Sequence, residues 1–125
     1  RGKEIRDEAF GKEGLERGDD LYKICPTHAD AIHEYCFGTI WDRPNLDLKT
    51  REMIVMAAAA ALDLPHEVGL HVRGAMNRGA KKEELIEVIL QCSPYIGFPK
   101  TNHALKAAQD IFDNWEKKKE DWKPI

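Results

Sequence analysis

The sequence predicts an all-α fold, a single-domain bundle of five to six helices, and three observations lead to this class. No stretch alternates apolar and polar residues with the period of two that a half-buried strand requires. Several stretches instead repeat apolar residues every three or four positions, as the buried face of a helix does. Prolines and glycines separate these stretches at short intervals, which is typical of helices joined by short connections.

The first third of the chain predicts two helices separated by a loop. A short helix over residues 3–10 ends at Gly11, and residues 14–20 have the composition of a loop. The second helix spans residues 25–41 and ends before Pro44, because a proline disfavours helical geometry in the residue before it. Its apolar stripe consists of Ile32, Tyr35, Cys36 and Ile40.

Asp47 is a good N-cap for the next helix, over residues 48–62. This helix carries consecutive alanines at 57–61, and small residues on all sides predict close neighbours, so we expect it to be central and largely buried. Pro65 suits a first helical position and Gly79 the left-handed residue after a helix end, which bounds another helix at 65–78.

Two further helices complete the prediction. Residues 82–92 are helical by propensity, residues 97–99 mark a break, and apolar residues three or four apart from 104 to 115 predict the last helix. A charged run follows it. We expect one domain over residues 1–125, with its core at about 22–115 and loosely ordered termini.

The composition of the chain argues against several classes of protein. The 125 residues suffice for one domain, and the formal net charge of -3 is mixed along the chain, so nothing indicates nucleic-acid binding. No apolar run approaches the roughly 18 residues that span a bilayer. Three widely spaced cysteines, Cys25, Cys36 and Cys92, argue against a disulfide framework and a zinc site. We therefore expect a cytoplasmic protein without membrane or nucleic-acid partners.

The helix at 65–78 carries the first candidate site. Glu67 and His71 are four apart, so their side chains share a face, as in an acid–base pair or an ordinary surface ion pair. Gly69 and Gly74 each cost about 1 kcal/mol relative to alanine in a helix, which indicates close approach of another helix or a ligand. His66 and His71 are five apart, which is the wrong spacing for a shared metal, and we expect none.

Other candidates lie nearer the N-terminus. Arg51 and Glu52 begin the alanine-rich helix, either as solvated first-turn charges or as site residues. Glu34 and Trp41 are seven apart and share a helical face. Trp41 is either a wall of an apolar pocket or an ordinary core tryptophan.

Several motifs, in order, resemble the carboxymuconolactone decarboxylase family. They include EYCFG at 34–38, WDRPNLD at 41–47, KTRE at 49–52, LHVRGA at 70–75 and the run from 84 to 91 with Tyr95 and Gly97. The resemblance covers about residues 34–112. It implies an all-helical, alkylhydroperoxidase D-like fold that assembles into a ring-shaped homo-oligomer, usually a hexamer built as a trimer of dimers.

The alkylhydroperoxidase D relatives use different chemistry. In them a glutamate precedes a Cys-x-x-Cys pair by twelve residues and a histidine follows it by four. These positions are Glu52 and His71 here, whereas Leu64 and Glu67 stand at the cysteine positions. Thiol–disulfide chemistry needs a thiolate, so the resemblance excludes a peroxidase acting by that route at this site.

The decarboxylase branch implies a decarboxylase, or related lyase or isomerase, that needs no cofactor and acts on a small anionic lactone such as 4-carboxymuconolactone. His71 would donate the proton, tuned by Glu67 or Glu52. Arg51 and Arg73 would bind the second carboxylate, because a guanidinium binds carboxylates bidentately. Arg73 lies about 200° around the helix from His71, so we expect it to act across a subunit interface.

Trp41 and Glu34 are further candidates for contact with the substrate. Two alternatives remain open. One is a non-catalytic oligomeric binding or scaffold domain of the same fold. The other is a peroxidase-related redox protein that has lost its Cys-x-x-Cys pair and uses Cys36 or Cys92.

Overall fold

A computed structural model describes residues 1–115, and for residues 12–19 it describes the backbone alone. Over this range the chain forms seven helical elements and no strand, which confirms the all-α prediction. They are α1 (Gly2–Ile24), α2 (Pro26–Ala31), a π-helix (Ile32–Ile40), α3 (Leu48–Ala61), α4 (Pro65–Asn77), α5 (Lys82–Ile96) and α6 (Phe98–Asp113). The charged run after Trp115, and the expected loose C-terminus, lie outside the described residues.

The N-terminal helix is longer than predicted. Gly11 has non-helical angles (φ 64, ψ -153), as its predicted role at a helix end requires, but the helix resumes after this kink and continues to Ile24. The predicted loop at residues 14–20 is therefore wrong, because its two glycines enclose three good helix formers, at 15–17. Ile5, Ala9 and Phe10 are buried in the core, so the core begins well before residue 22.

The predicted helix over residues 25–41 divides into two, which raises the helix count above five to six. From Ile32 the bonding changes to the π type, and the Trp41 N–H still donates to the carbonyl of Cys36, five residues back, at 2.9 Å. Wider turns move the buried stripe from the predicted positions, so that Phe37 and Trp41 are buried while Tyr35 is exposed. For the same reason Glu34 and Trp41 do not share a face.

The N-cap of α3 is confirmed, since Asp47 Oδ1 accepts a hydrogen bond from the Thr50 N–H at 2.7 Å. One face of α3 is buried against its neighbours, but Ile54 and Ala58 are exposed on another. The expectation of a largely buried helix therefore holds for one face of α3 only.

The central helix is α4, which packs against α1, α3 and α6. It begins at Pro65, and Gly79 beyond its end has a φ of 93°, both as predicted. All residues from 68 to 75 are buried. Farther on, α5 continues through Pro94 to Ile96, past its predicted end, and Gly97 separates it from α6. Buried residues of α6 include the predicted Ala104, Ala107, Ala108 and Ile111.

Candidate active site

A cavity of about 530 Å³ lies between α1, the π-helix, α3 and α4. Most of its wall is apolar or aromatic, and four of its residues are ionisable in addition to the thiol of Cys36. The lining residues are Arg6, Phe10, Asp20, Leu21, Ile32, Cys36, Phe37, Trp41, Val55, Glu67, Leu70 and His71. An apolar cavity with few polar groups is the usual form of a small-molecule site.

His71 is the buried polar centre of this cavity, with 7% of its surface exposed. Its Nδ1 lies 2.8 Å from Oε2 of Glu52, a residue with no exposed surface. An ionised carboxylate only accepts hydrogen bonds, so Nδ1 donates and Nε2 is the nitrogen left for chemistry. Nε2 lies 3.9 Å from Oε2 of Glu67, which is too long for a direct hydrogen bond.

The carboxylate of Glu52 has two hydrogen-bond partners and a space beside Gly74. Besides His71, it receives a hydrogen bond from Arg78 Nε to Oε1 at 3.4 Å. Arg78 is anchored in turn, because its second terminal nitrogen donates to the Ile5 carbonyl at 2.8 Å. A β-carbon at Gly74 would lie 2.7 Å from the carboxylate, so the absence of a side chain there makes room for it. The predicted close approach of another helix at Gly74 is thus confirmed, and that helix is α3.

Aromatic rings enclose the imidazole. Trp41 stacks on His71 at a centroid distance of 6.0 Å and an angle of 19°, and Phe10 meets it edge-on at 5.3 Å. Phe37 contacts both of these rings, at 6.2 Å from Phe10 and 5.4 Å from Trp41. Trp41 is therefore both a core residue and a cavity wall, which joins the two interpretations that the sequence left open.

Arg6 is a second buried charge in the cavity wall. It donates a hydrogen bond to His33 Nε2 and contacts Asp7 Oδ1 at 3.3 Å. Burial, and then the charge of Arg6, lower the pKa of His33 from its ordinary value of 6.5, which favours the neutral ring that can accept from Arg6.

The other predicted site residues lie elsewhere. Arg51 donates to the carbonyls of Leu46 and Arg43, at 3.2 and 2.8 Å, and so braces the loop before α3. Arg73 is buried with its guanidinium 5.5 Å from the ring centroid of Trp115 in its own chain. Glu34 is exposed on the π-helix. None of these three lines the cavity that holds His71.

Two functional residues, Arg6 and Arg78, were missed by the sequence analysis. Arg78 could have been found, because it follows His71 by seven residues and so shares its helical face. Arg6 belongs to a segment that we expected to be loosely ordered, and its partner His33 lies 27 residues away. No local pattern in the sequence joins these two.

The sulfur and metal chemistry of the described residues is limited. Cys25, Cys36 and Cys92 are free, and Cys36 lines the cavity. Burial raises the pKa of the Cys36 thiol, which disfavours the thiolate that redox chemistry needs. Among the side chains that the structure describes, no group of three or more His, Cys, Asp or Glu is placed to bind a metal.

A larger depression of about 810 Å³ lies beyond Trp41. It is lined by several charged side chains, including Arg1, Arg43 and Arg78, and His71 does not reach it. The smaller cavity is the better candidate because it joins a buried histidine–carboxylate pair to an apolar wall. Separately, none of the helices described here is long and apolar enough to cross a bilayer.

Comparison with known proteins identifies relatives that match most of this chain. A 4-carboxymuconolactone decarboxylase of Acinetobacter baylyi is 34% identical over 112 residues, covering 89% of this chain and 84% of that protein. A nitrosuccinic acid decarboxylase of Metarhizium robertsii is 31% identical over 125 residues, covering 94% and 86%. An uncharacterized 15.0 kDa protein of Paracoccus denitrificans is 36% identical over 95 residues, covering 74% and 70%. The profile of the carboxymuconolactone decarboxylase family matches residues 26–110, and this chain belongs to that family.

Proposed function

We propose that this protein is a decarboxylase that needs no cofactor and acts on a small anionic lactone such as 4-carboxymuconolactone, with His71 as the proton donor. The observation that carries the proposal is the buried His71–Glu52 pair in an apolar, aromatic cavity. Two relatives are named as decarboxylases, of 4-carboxymuconolactone and of nitrosuccinic acid. Both names describe an acid that also carries an electron-withdrawing group, a lactone or a nitro group.

The reaction makes two demands on the site. The bond between carbon and the leaving carboxylate breaks, carbon dioxide departs, and the electron pair stays on the substrate as a carbanion. The lactone carbonyl accepts this charge as an enolate, so the substrate is its own electron sink. An apolar wall around the leaving carboxylate favours its loss, because the transition state spreads the charge that water would otherwise hold in place.

His71 then supplies the proton that the carbanion takes up. With Nδ1 donating to Glu52, the protonated ring carries its second proton on Nε2, on the side of Glu67. Transfer of that proton to carbon leaves a neutral ring that Glu52 still orients. Glu67 is half-exposed, so the ring regains a proton from solvent at that side. The product from 4-carboxymuconolactone is an enol-lactone.

We also propose that the protein is a homo-oligomer, with a hexamer built as a trimer of dimers as the expected form. Several large apolar side chains are exposed on the single chain, and contacts between chains would remove them from water. Tyr95 at the end of α5 is 83% exposed, Phe98 at the start of α6 is 76% exposed, and Ile54 of α3 is 51% exposed. Contacts between chains would cover them.

The test is the decarboxylation of 4-carboxymuconolactone, followed by ultraviolet absorbance, for the wild type and His71→Asn. Asparagine keeps polarity but cannot be protonated, so we expect kcat to fall by about 10²–10⁴-fold. His103→Asn is the matched control, because His103 also pairs with a carboxylate, Asp63, but on the exposed surface. No turnover by the wild type would contradict this substrate. Near-normal turnover by a folded His71→Asn variant would contradict the role of His71.

A further inference from the structure

Arg6 is a buried cation in the cavity wall that the chemistry above does not use. Only 7% of its surface is exposed, and among the described residues its ion-pair partner is the half-buried Asp7. It is the one arginine or lysine among the lining residues of the His71 cavity in the described part of the chain. It therefore gives the wall of this cavity its permanent positive charge among these residues.

The hydrogen bonds of Arg6 leave part of its guanidinium unused. One terminal nitrogen donates to His33 and the other contacts Asp7 at 3.3 Å, but the buried Nε has no partner. A guanidinium has five N–H donors, and a buried donor without an acceptor is costly. His33 is held toward its neutral form and adds no negative charge. A carboxylate in the cavity would add a further acceptor for the guanidinium, which has five N–H donors but only His33 and Asp7 as partners among the described side chains.

The charged residues that line the cavity differ in how far they are exposed. The carboxylates of Glu67 and Asp20 belong to residues that are at least partly exposed, whereas Arg6 and His71 are buried. Among these lining residues the arginine thus lies in the interior of the cavity and the two carboxylates lie nearer its rim. A ligand with a carboxylate fits this order when the carboxylate enters toward Arg6.

We infer that Arg6 binds the carboxylate that the substrate keeps, and not the one that leaves as carbon dioxide. A cation against the leaving carboxylate would stabilise the ground state more than the transition state and would slow the reaction. A cation on the retained carboxylate costs nothing in the transition state and holds the reacting carbon beside His71. This inference rests on the proposed function and defines the substrates as small acids with two carboxylates.

Binding of two probes separates this inference from the proposed function. Succinate and succinamate differ only in that an amide replaces one carboxylate, and titration calorimetry measures both. We expect the wild type to bind succinate about 10–100-fold more tightly, the range for one charged hydrogen-bonded contact, and Arg6→Gln to bind both equally. Arg43→Gln, an exposed arginine outside the cavity, is the matched control and should keep the preference.

Kinetics with 4-carboxymuconolactone add a second measure. Arg6→Gln should raise KM by about 10–100-fold with a smaller change in kcat, the reverse of His71→Asn. Arg6→Lys keeps the charge but not the two-pronged contact, so it should keep part of the preference for succinate even if Arg6→Gln does not fold.

The inference is overturned if the wild type binds both probes equally, or if folded Arg6→Gln keeps the full preference for succinate. Loss of the preference in Arg43→Gln as well would also overturn it, because the effect would then be one of overall charge. The wild type could also fail to turn over 4-carboxymuconolactone and still prefer succinate, with the preference lost in Arg6→Gln. That result contradicts the proposed substrate and supports the inference.

Discussion

Gly74 of α4 lies against the carboxylate of Glu52 of α3, so closely that a β-carbon at position 74 would stand 2.7 Å from the carboxyl carbon and both oxygens. Real β-carbons do not approach other atoms to that distance. The space left by one missing methyl group is what lets a buried carboxylate reach His71.

Gly74→Ala should therefore displace Glu52. We expect a net loss of up to about 2 kcal/mol of stability, because overpacking costs about 1–3 kcal/mol and alanine returns about 1 kcal/mol of helix propensity. The kcat should fall by about tenfold or more, as the bond to His71 is lost. Chemical denaturation and steady-state kinetics measure the two effects.

A compensating change checks the cause of that loss. Glu52→Asp shortens the side chain by one methylene, so in the Gly74→Ala background it should restore stability but not kcat. If the double variant is less stable than Gly74→Ala by the full cost of Glu52→Asp alone, the two residues are independent and the steric account is wrong.

The two glutamates near His71 should differ in their effect on kcat. Glu52→Gln keeps an acceptor for Nδ1 but removes a buried charge, and we expect kcat to fall by about 10–100-fold. Glu67 is half-exposed and 3.9 Å from Nε2, so Glu67→Gln should lower kcat by less than about fivefold, the usual worth of an exposed pair. A larger effect from Glu67→Gln, at saturating substrate, would reverse the assignment.

His33 should make the stability of the protein depend on pH. Its pKa is lowered in the folded state, first by burial and then by Arg6, so below its ordinary value of 6.5 the unfolded chain binds the proton more readily. The stability that His33 contributes is then fully present above about pH 6.5. It is lost as the pH falls from there toward the lower pKa of His33 in the folded state.

Thermal unfolding between about pH 5 and pH 8 measures this dependence. His33→Gln keeps a hydrogen-bond acceptor for Arg6 and cannot be protonated, so its melting temperature should fall less than that of the wild type on acidification. His28→Gln replaces an exposed histidine and should behave like the wild type. Identical pH profiles for the wild type and His33→Gln would refute the prediction.

The assembly prediction concerns the exposed apolar residues of α3, α5 and α6. Light scattering after size-exclusion chromatography should show one oligomer at micromolar concentration, with a hexamer as the expected mass. A stable monomer under those conditions would mean that Tyr95, Phe98 and Ile54 face solvent in the working protein.

Local chemistry explains which parts of the fold were predictable. The ends of α4 follow from Pro65 and Gly79, and the start of α3 follows from Asp47, because each acts within one turn of its own helix. The π-helix escaped prediction since analysis of periodicity assumes the spacing of an α-helix, and the same assumption misplaced Glu34.

The candidate site was predictable to a similar extent. The pairing of His71 with Glu52 came from the family resemblance, whereas spacing alone favoured Glu67, the weaker contact. Arg6 joins His33 across 27 residues, and Arg51 bonds to a loop. Packing between distant segments determines which arginine faces the cavity. The spacing of residues within one helix does not predict this packing.

The match to the family profile begins at residue 26, yet α1 supplies Arg6, Phe10 and the Ile5 carbonyl that anchors Arg78. Under the proposed function, two relatives that agree at every position from 26 to 110 would still differ in the acids they accept if their first helices differ, because α1 forms a wall of the cavity. The same proposal predicts that relatives grouped by the sequence of their first helix share a preference for the same acid. Exchanging that helix between two relatives then tests whether it carries the preference for one acid over another.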